Sequence, residues 1–198
     1  MIMKRLEIFA AALAGALLVT ISASAQDERL APGIYAVVDG TPTHLTYTPA
    51  VNVKSGINVI GVEVGNSRFD YKGETSGVTA TGKFIMVIDP ERKVLRKTPK
   101  IYDPFVKTMT PDLIMIVPLE VVKGKRMYDR GVSVQGIDTR KHNRMEFQWE
   151  LVDENTFEIT AALLPGEYAF VFKPAKMGSY DFSSIYGFTC PNPEEGLE

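Results

Sequence analysis

Hydrophobic and polar residues alternate in short runs along most of the chain, and this pattern predicts β-strands. The clearest alternation covers residues 145–151, where apolar side chains occupy the odd positions and polar side chains the even ones. Successive side chains of a strand point to opposite faces, so one face of this segment should be buried and the other exposed. Trp149 falls on the apolar face and is predicted to lie in the core.

The segment Leu163–Phe172 predicts a different kind of strand. Pro165 and Gly166 suit the two central positions of a type II turn. After this turn three aromatic residues share one face of the strand, and Ala169 and Val171 share the other. Since both faces are apolar, we expect a central strand that is covered on two sides.

The same nine-residue pattern, L-x-P-G-x-Y-A-x-V, occurs at residues 30–38 and again at residues 163–171. One interpretation is an internal duplication that produced two similar β halves. The other is a common way of entering a buried strand, used twice. We favour the second interpretation, because nothing else in the two halves aligns well.

About ten short strands, separated by turn residues, predict an antiparallel all-β protein without substantial helix after the N-terminal segment. A β-sandwich is favoured over a closed barrel, and an immunoglobulin-like arrangement is one version of it. We expect a single domain over residues 26–190. The alternative is two β halves, 30–90 and 112–190, joined by a proline-rich connection. Residues 191–198 form an acidic tail.

The N-terminus has the three parts of a signal peptide. Lys4 and Arg5 precede the apolar run Ile8–Ile21, and Ala23-Ser24-Ala25 resembles a cleavage site. Removal of residues 1–25 would leave 173 of the 198 residues and change the net charge from −2 to −3. We therefore expect an exported protein, periplasmic or at the cell surface, without a later transmembrane segment and without affinity for nucleic acid.

The sequence predicts no metal site, cofactor or catalytic motif. His44, His142 and the single cysteine, Cys190, do not have the spacing of a known metal site, and one cysteine cannot form an intramolecular disulfide. Glu146 and Glu150 share a strand face about 13 Å apart, which exceeds the separations of about 5–9.5 Å in glycosidases. Carboxylates from different strands could still meet, so an enzyme is not favoured but stays open.

Basic residues concentrate in two predicted turn regions, and one interpretation is a partner-binding surface. The alternative is that they are solvated turn residues that keep strand edges from pairing, and we favour this alternative. The candidate residues are Lys123, Lys125, Arg126, Arg130, Arg140, Lys141 and Arg144.

Three segments resemble uncharacterised exported β-proteins of Bacteroidetes-type Gram-negative bacteria. They are the Ala25-Gln26 end of the signal peptide, the block Leu164–Ala169, and the aromatic segment Tyr180-Asp181-Phe182. The resemblance concerns mainly the last third of the chain. It implies a location in the cell envelope and a β-sandwich, and it brings no catalytic residues.

These observations lead to three functional hypotheses. The first is a non-catalytic β-sandwich that binds a protein or glycan partner in the cell envelope. The second is a hydrolase of an envelope or dietary polymer that uses carboxylates from different strands. The third is an assembly subunit that pairs through an exposed strand edge.

Overall fold

The computed structural model describes most of the chain from Leu30 to Asn192. The predicted signal peptide, most of the proline-rich connection, His142 and the end of the acidic tail lie outside the described residues. The described residues are 30–54, 57–59, 62–91, 104–106, 108–134, 137–138, 144–173 and 181–192. Residues from Ala31 onward belong to one compact unit.

The described residues are almost entirely strands and turns, which confirms the prediction of an antiparallel all-β protein. One 3-10 turn, Pro111–Leu113, precedes the seventh strand. No helix in this part of the chain is long and apolar enough to cross a membrane. The strands are β1 (Gly33–Val38), β2 (Thr41–His44), β3 (Tyr47–Lys54), β4 (Ile57–Val59), β5 (Val62–Lys72), β6 (Lys83–Val87), β7 (Ile114–Val122), β8 (Lys125–Val134), β9 (Ile137–Asp138), β10 (Phe147–Asp153), β11 (Thr156–Ala161), β12 (Gly166–Phe172) and β13 (Asp181–Cys190).

The strands form two sheets, and one of them closes into a barrel. The smaller sheet has the order β10-β11-β6-β1-β2. The larger has the order β4-β5-β3-β13-β12-β7-β8-β9, and β5 also pairs with β8. Six strands, from β5 around to β8, therefore form a closed ring.

The sequence favoured a sandwich over a closed barrel, and one of the two sheets nevertheless closes. The closure is made by β5 and β8, which pair from Val64↔Val134 to Lys72↔Lys125. Both strands are long, and their pairing removes two edges that would otherwise have been free. The alternation along each strand shows which residues share a face, but it does not show which strands are neighbours.

The strand β12 is covered on both faces, as its sequence predicts. Tyr168, Phe170 and Phe172 belong to a core cluster between the barrel wall and the five-stranded sheet. Ala169 and Val171 belong to a second cluster inside the barrel. The strand therefore separates two cores and contributes to each of them.

The five-stranded sheet packs against the outer face of the wall formed by β7, β12 and β13. Phe84 of β6 contacts Phe170 of β12 edge to face, with ring centroids 4.8 Å apart. Its ring is also 4.8 Å from that of Phe188 in β13. All three rings are buried, so these contacts fix the sheet on the wall.

Pro118 does not interrupt β7, which runs through it in continuous register with β12. The carbonyl of Ile116 accepts a hydrogen bond from the Met145 amide, so the backbone N–H and C=O groups of Ile116 point away from β12. Pro118 is two residues further on, so its backbone nitrogen and carbonyl face the same side as those of Ile116. Its missing N–H therefore falls on an edge that β8 does not occupy there.

The repeated nine-residue pattern gives the same local hydrogen bond twice. The Tyr35 hydroxyl donates to the Ala31 carbonyl at 2.7 Å, and the Tyr168 hydroxyl donates to the Leu164 carbonyl at 2.9 Å. The tertiary setting differs. Tyr168 belongs to the core beneath the five-stranded sheet. Tyr35 does not belong to that core, to which β1 contributes the adjacent residues Ile34 and Ala36.

Candidate functional site

The strand β10 lies at the edge of the five-stranded sheet, and its apolar face is open to solvent. Trp149 and Leu151 are 43% and 57% exposed, so the prediction of a core position for Trp149 is wrong. They lie directly opposite Ile159 and Phe157 of β11, both of which are buried. The sheet therefore extends one strand beyond the barrel wall that covers it.

A groove of about 360 Å³ adjoins this overhanging strand. It lies between β10, the 3-10 turn and the beginning of β7. The hydrogen bond from the Met145 amide to the Ile116 carbonyl, 2.9 Å long, holds one side of the groove against β7. The lining residues are Pro111, Asp112, Ile114, Met115, Arg144, Met145, Glu146, Phe147 and Trp149.

The groove combines apolar surface with a few charges. Ile114 and Met115 are buried at its base, and the Trp149 ring stands open beside them. Asp112, Glu146 and Arg144 are exposed. A concavity that combines apolar side chains with polar groups can orient a bound ligand.

The outer face of β10 carries acidic residues. Glu150 lies directly opposite Glu158 of β11, and Gln148 lies opposite Thr160. Carboxylates that face each other across two strands repel, which destabilises the pair slightly. This face therefore favours positively charged groups.

The candidate basic residues do not all lie on one surface of the described chain. Lys123 and Lys125 are exposed at the two-residue hairpin between β7 and β8. Arg144 lines the groove near Ile116, about 23 Å further along β7 at 3.3 Å per residue. The side chain of Arg130, together with Arg140 and Lys141, lies outside the described residues, so their partner-binding role stays a prediction.

Arg126 lies inside the barrel, where sequence reasoning placed a surface residue. Its side chain is 3% exposed, and Nη1 is 4.0 Å from the Glu167 carboxylate. Its Nη2 donates to the Lys72 carbonyl at 3.1 Å. Gly187 makes room for the guanidinium group, because a Cβ atom there would overlap Arg126.

Glu167 is the acidic partner of this buried arginine. Its carboxylate accepts hydrogen bonds from the Thr189 hydroxyl at 2.5 Å and from the Ser76 amide at 3.1 Å. Burial raises the pKa of Glu167, although the Thr189 hydrogen bond and the charge of Arg126 oppose this shift. Burial likewise lowers the pKa of Arg126.

The buried pair ties residues 73–80 across one end of the barrel. Ser76 binds Glu167, and the backbone of Val78 and Ala80 exchanges hydrogen bonds with Thr189. Arg126 Nε and Nη1 are buried without a hydrogen-bond partner in the part of the chain that the structure describes. The arrangement acts as a closure of the barrel.

His44 and Cys190, the metal-ligand candidates that the structure describes, do not belong to a shared ligand cluster. His44 is exposed, and its ring packs on Gly33 and edge-on against Tyr35, with centroids 5.0 Å apart. Cys190 is buried in the core beneath the five-stranded sheet. Among the described residues, no group of three histidine, cysteine or carboxylate side chains is placed to hold a metal.

Comparison of the chain with protein-family models, with curated proteins and with solved structures found no match. The geometry itself defines the class: an antiparallel all-β protein with a closed six-stranded barrel, a covering five-stranded sheet and an open groove under the sheet's edge.

Proposed function

We propose that this chain is an exported, non-catalytic protein that binds a partner, protein or glycan, in the cell envelope through the groove beside Trp149. The observation that carries the proposal is the exposure of Trp149 and Leu151 on the same sheet face as the buried Ile159. Exposed aromatic and aliphatic side chains beside a groove are typical of binding surfaces, where tryptophan contributes strongly to affinity.

The charged groups of the groove support binding rather than catalysis. Asp112 and Glu146 are exposed, and neither makes a hydrogen bond or an ion pair within the described residues. A catalytic acid needs an environment that shifts its proton affinity towards the working pH, usually by burial or by a close charged neighbour. Carboxylates on an open rim are better suited to orienting a bound partner.

Tryptophan fluorescence tests the proposal directly, because Trp149 is the only tryptophan of the chain. The processed protein would be titrated with soluble envelope glycans and with a peptide library while its emission is followed. A ligand in the groove should change the emission, and Trp149→Ala should abolish its binding in calorimetry. Leu164→Ala, at a leucine that is 74% exposed outside the groove lining, is the matched control.

A second candidate function is the hydrolysis of an envelope or dietary polymer. One observation favours it: Asp112 and Glu146 come from different parts of the chain and line the same groove. Turnover of a polysaccharide or peptide polymer that is lost in both Asp112→Asn and Glu146→Gln would establish it. Turnover by neither the wild type nor the variants would leave binding as the function.

The location and the finer architecture are part of the same proposal. Export follows from the predicted signal peptide, and N-terminal sequencing of the protein from cells should begin at Gln26. The packing of the five-stranded sheet on the wall of β7, β12 and β13 supports a sandwich-like arrangement of these two layers. An immunoglobulin-like arrangement of its strands stays a prediction, as does the resemblance to exported Bacteroidetes-type proteins.

A further inference from the structure

The two edges of the five-stranded sheet differ in how well they are protected from pairing. The edge strand β2 has four residues and includes Pro42, which cannot donate a hydrogen bond. The other edge, β10, has seven residues and contains neither proline nor lysine. A short strand and a proline both protect an edge from pairing, and β2 has both whereas β10 has neither.

The open edge of β10 can accept another strand over a defined stretch. Its register with β11 is regular from Phe147 to Leu151 and then shifts before Asp153. Such a bulge bends a strand and ends regular pairing. Within the described residues no other strand pairs with β10 on the side away from β11. Five residues, about 17 Å, are therefore available for pairing.

The side chains of β10 specify what a neighbouring strand must carry. On the inner face, Trp149 and Leu151 are exposed, and Trp149 lines the groove. On the outer face, Glu150 already faces Glu158. An added strand places its own side chains beside these residues on alternate positions. Apolar residues fit beside Trp149, and lysine or arginine fits beside Glu150.

On the basis of the proposed function, we propose that β10 binds an extended segment of a protein partner by strand addition. The segment has apolar residues at alternate positions and Lys or Arg at the positions between them. Backbone hydrogen bonds to the β10 edge supply affinity, and the groove and the glutamates supply specificity. The partner segment is about five to seven residues long, to match the regular part of the edge.

Charge argues against a second copy of this chain as the occupant. Self-pairing through β10 would bring two edges together that each carry Glu146 and Glu150, with Arg144 as the basic residue beside them. Like charges opposite each other across strands destabilise pairing. A basic strand instead neutralises the existing repulsion between Glu150 and Glu158.

Synthetic peptides test the proposal on the processed full-length protein. The probe is an eight-residue peptide of alternating valine and lysine, with glutamate in place of lysine as the first control. Trp149 emission and calorimetry measure binding. We expect the basic peptide to bind at least about tenfold more tightly than the acidic one, and the difference to shrink in high salt.

Backbone methylation identifies strand addition specifically. A strand added to one edge uses only every second N–H group of the peptide. Two peptides are therefore compared, one N-methylated at the lysine positions and one at the valine positions. One set should lose at least about tenfold in affinity, because hydrogen bonds are removed, while the other set retains binding. Equal effects of the two sets would overturn strand addition.

A charge reversal in the protein tests the predicted specificity. Glu150→Lys should lower the affinity for the basic peptide about five- to tenfold and raise the affinity for the acidic peptide. Glu120→Lys, at an exposed glutamate of β7 outside the groove lining, is the matched control and should change neither affinity by more than about twofold. Circular dichroism of both variants confirms that the fold is retained.

The remaining outcomes separate this inference from the proposed function. A glycan that binds the wild type but not Trp149→Ala, with no peptide binding, would overturn strand addition and support the proposed function. Concentration-dependent dimers that are lost in Glu150→Lys would overturn the proposal that the added strand comes from a different protein. Binding of neither peptides nor glycans would overturn both proposals.

Discussion

The strands β10 and β12 have similarly strong sequence patterns and opposite environments. β12 is buried on both faces, with Phe170, Ala169 and Val171 fully inaccessible. β10 has the more regular alternation of apolar and polar residues, yet its apolar residues Trp149 and Leu151 are exposed. The comparison shows that alternation identifies the face of a strand, whereas burial depends on what the neighbouring layer covers.

The largest expected difference between the two strands comes from removing one aromatic ring from each. Phe170→Ala should lower the free energy of unfolding by about 3–5 kcal/mol, because it leaves a cavity beside Phe84 and Phe188. Trp149→Ala should lower it by less than about 1 kcal/mol, since its ring is already partly in water. Urea denaturation followed by circular dichroism measures both. Similar losses would show that β10 is covered in solution.

Enlarging a small residue tests the inner side of β12. Ala169 faces the barrel interior and is fully buried, so Ala169→Leu should destabilise the protein by about 1–3 kcal/mol through overpacking. The matched change in β10 is Gln148→Leu, at an exposed position, which should alter stability by less than about 0.5 kcal/mol. If Ala169→Leu were neutral, the barrel interior would have to be loosely packed.

The two tyrosines of the repeated pattern provide a smaller test. Tyr168→Phe and Tyr35→Phe each remove a hydroxyl that donates to a carbonyl four residues earlier. Each should cost about 0.5–1.5 kcal/mol, and similar values would show that the local hydrogen bond has the same role in β1 and β12. A large loss in Tyr168→Phe alone would mean that its position in the core dominates.

The smallest expected effect concerns the pH dependence contributed by Glu167. Burial raises the pKa of this carboxyl group in the folded protein above its ordinary value. Its contribution to stability is therefore fully present below the ordinary glutamate pKa and is lost as the pH rises through the higher folded value.

Glu167→Gln removes that titration, and the pH series is its test. The variant should be close to the wild type in acid and should gain stability relative to the wild type as the pH rises towards neutral. Urea midpoints measured between about pH 4 and pH 7 follow the difference. If the wild type instead became more stable relative to the variant as the pH rises, the expected direction of the pH dependence would be wrong.

The sequence predicted the elements of the fold better than their assembly. The Lys123-Gly124 hairpin has positive φ angles at both residues, as a tight β-hairpin turn requires, and glycine at the second position is the readable signal. The closure of β5 onto β8 has no such signal. It depends on pairing between strands more than fifty residues apart, and alternation carries no information about partners.

The candidate site shows the same division. The apolar face of β10 and the acidic residues that alternate with it were evident from the sequence. The groove, however, exists only because the sheet extends beyond the barrel wall. The buried pair had a partial signal. Glu167 stands in a strand predicted to be covered on both sides, and a buried carboxylate needs a cationic or hydrogen-bonding partner. Nothing in the sequence identified Arg126 as that partner.

The shared wall made by β12 has a consequence for how the molecule opens. Because Phe170 belongs to one core and Val171 to the other, neither core can be solvated while its neighbour stays intact. The backbone amides of this strand should therefore be the slowest to exchange with deuterium, at rates set by global unfolding. The barrel and its covering sheet should be lost together, in a single cooperative transition.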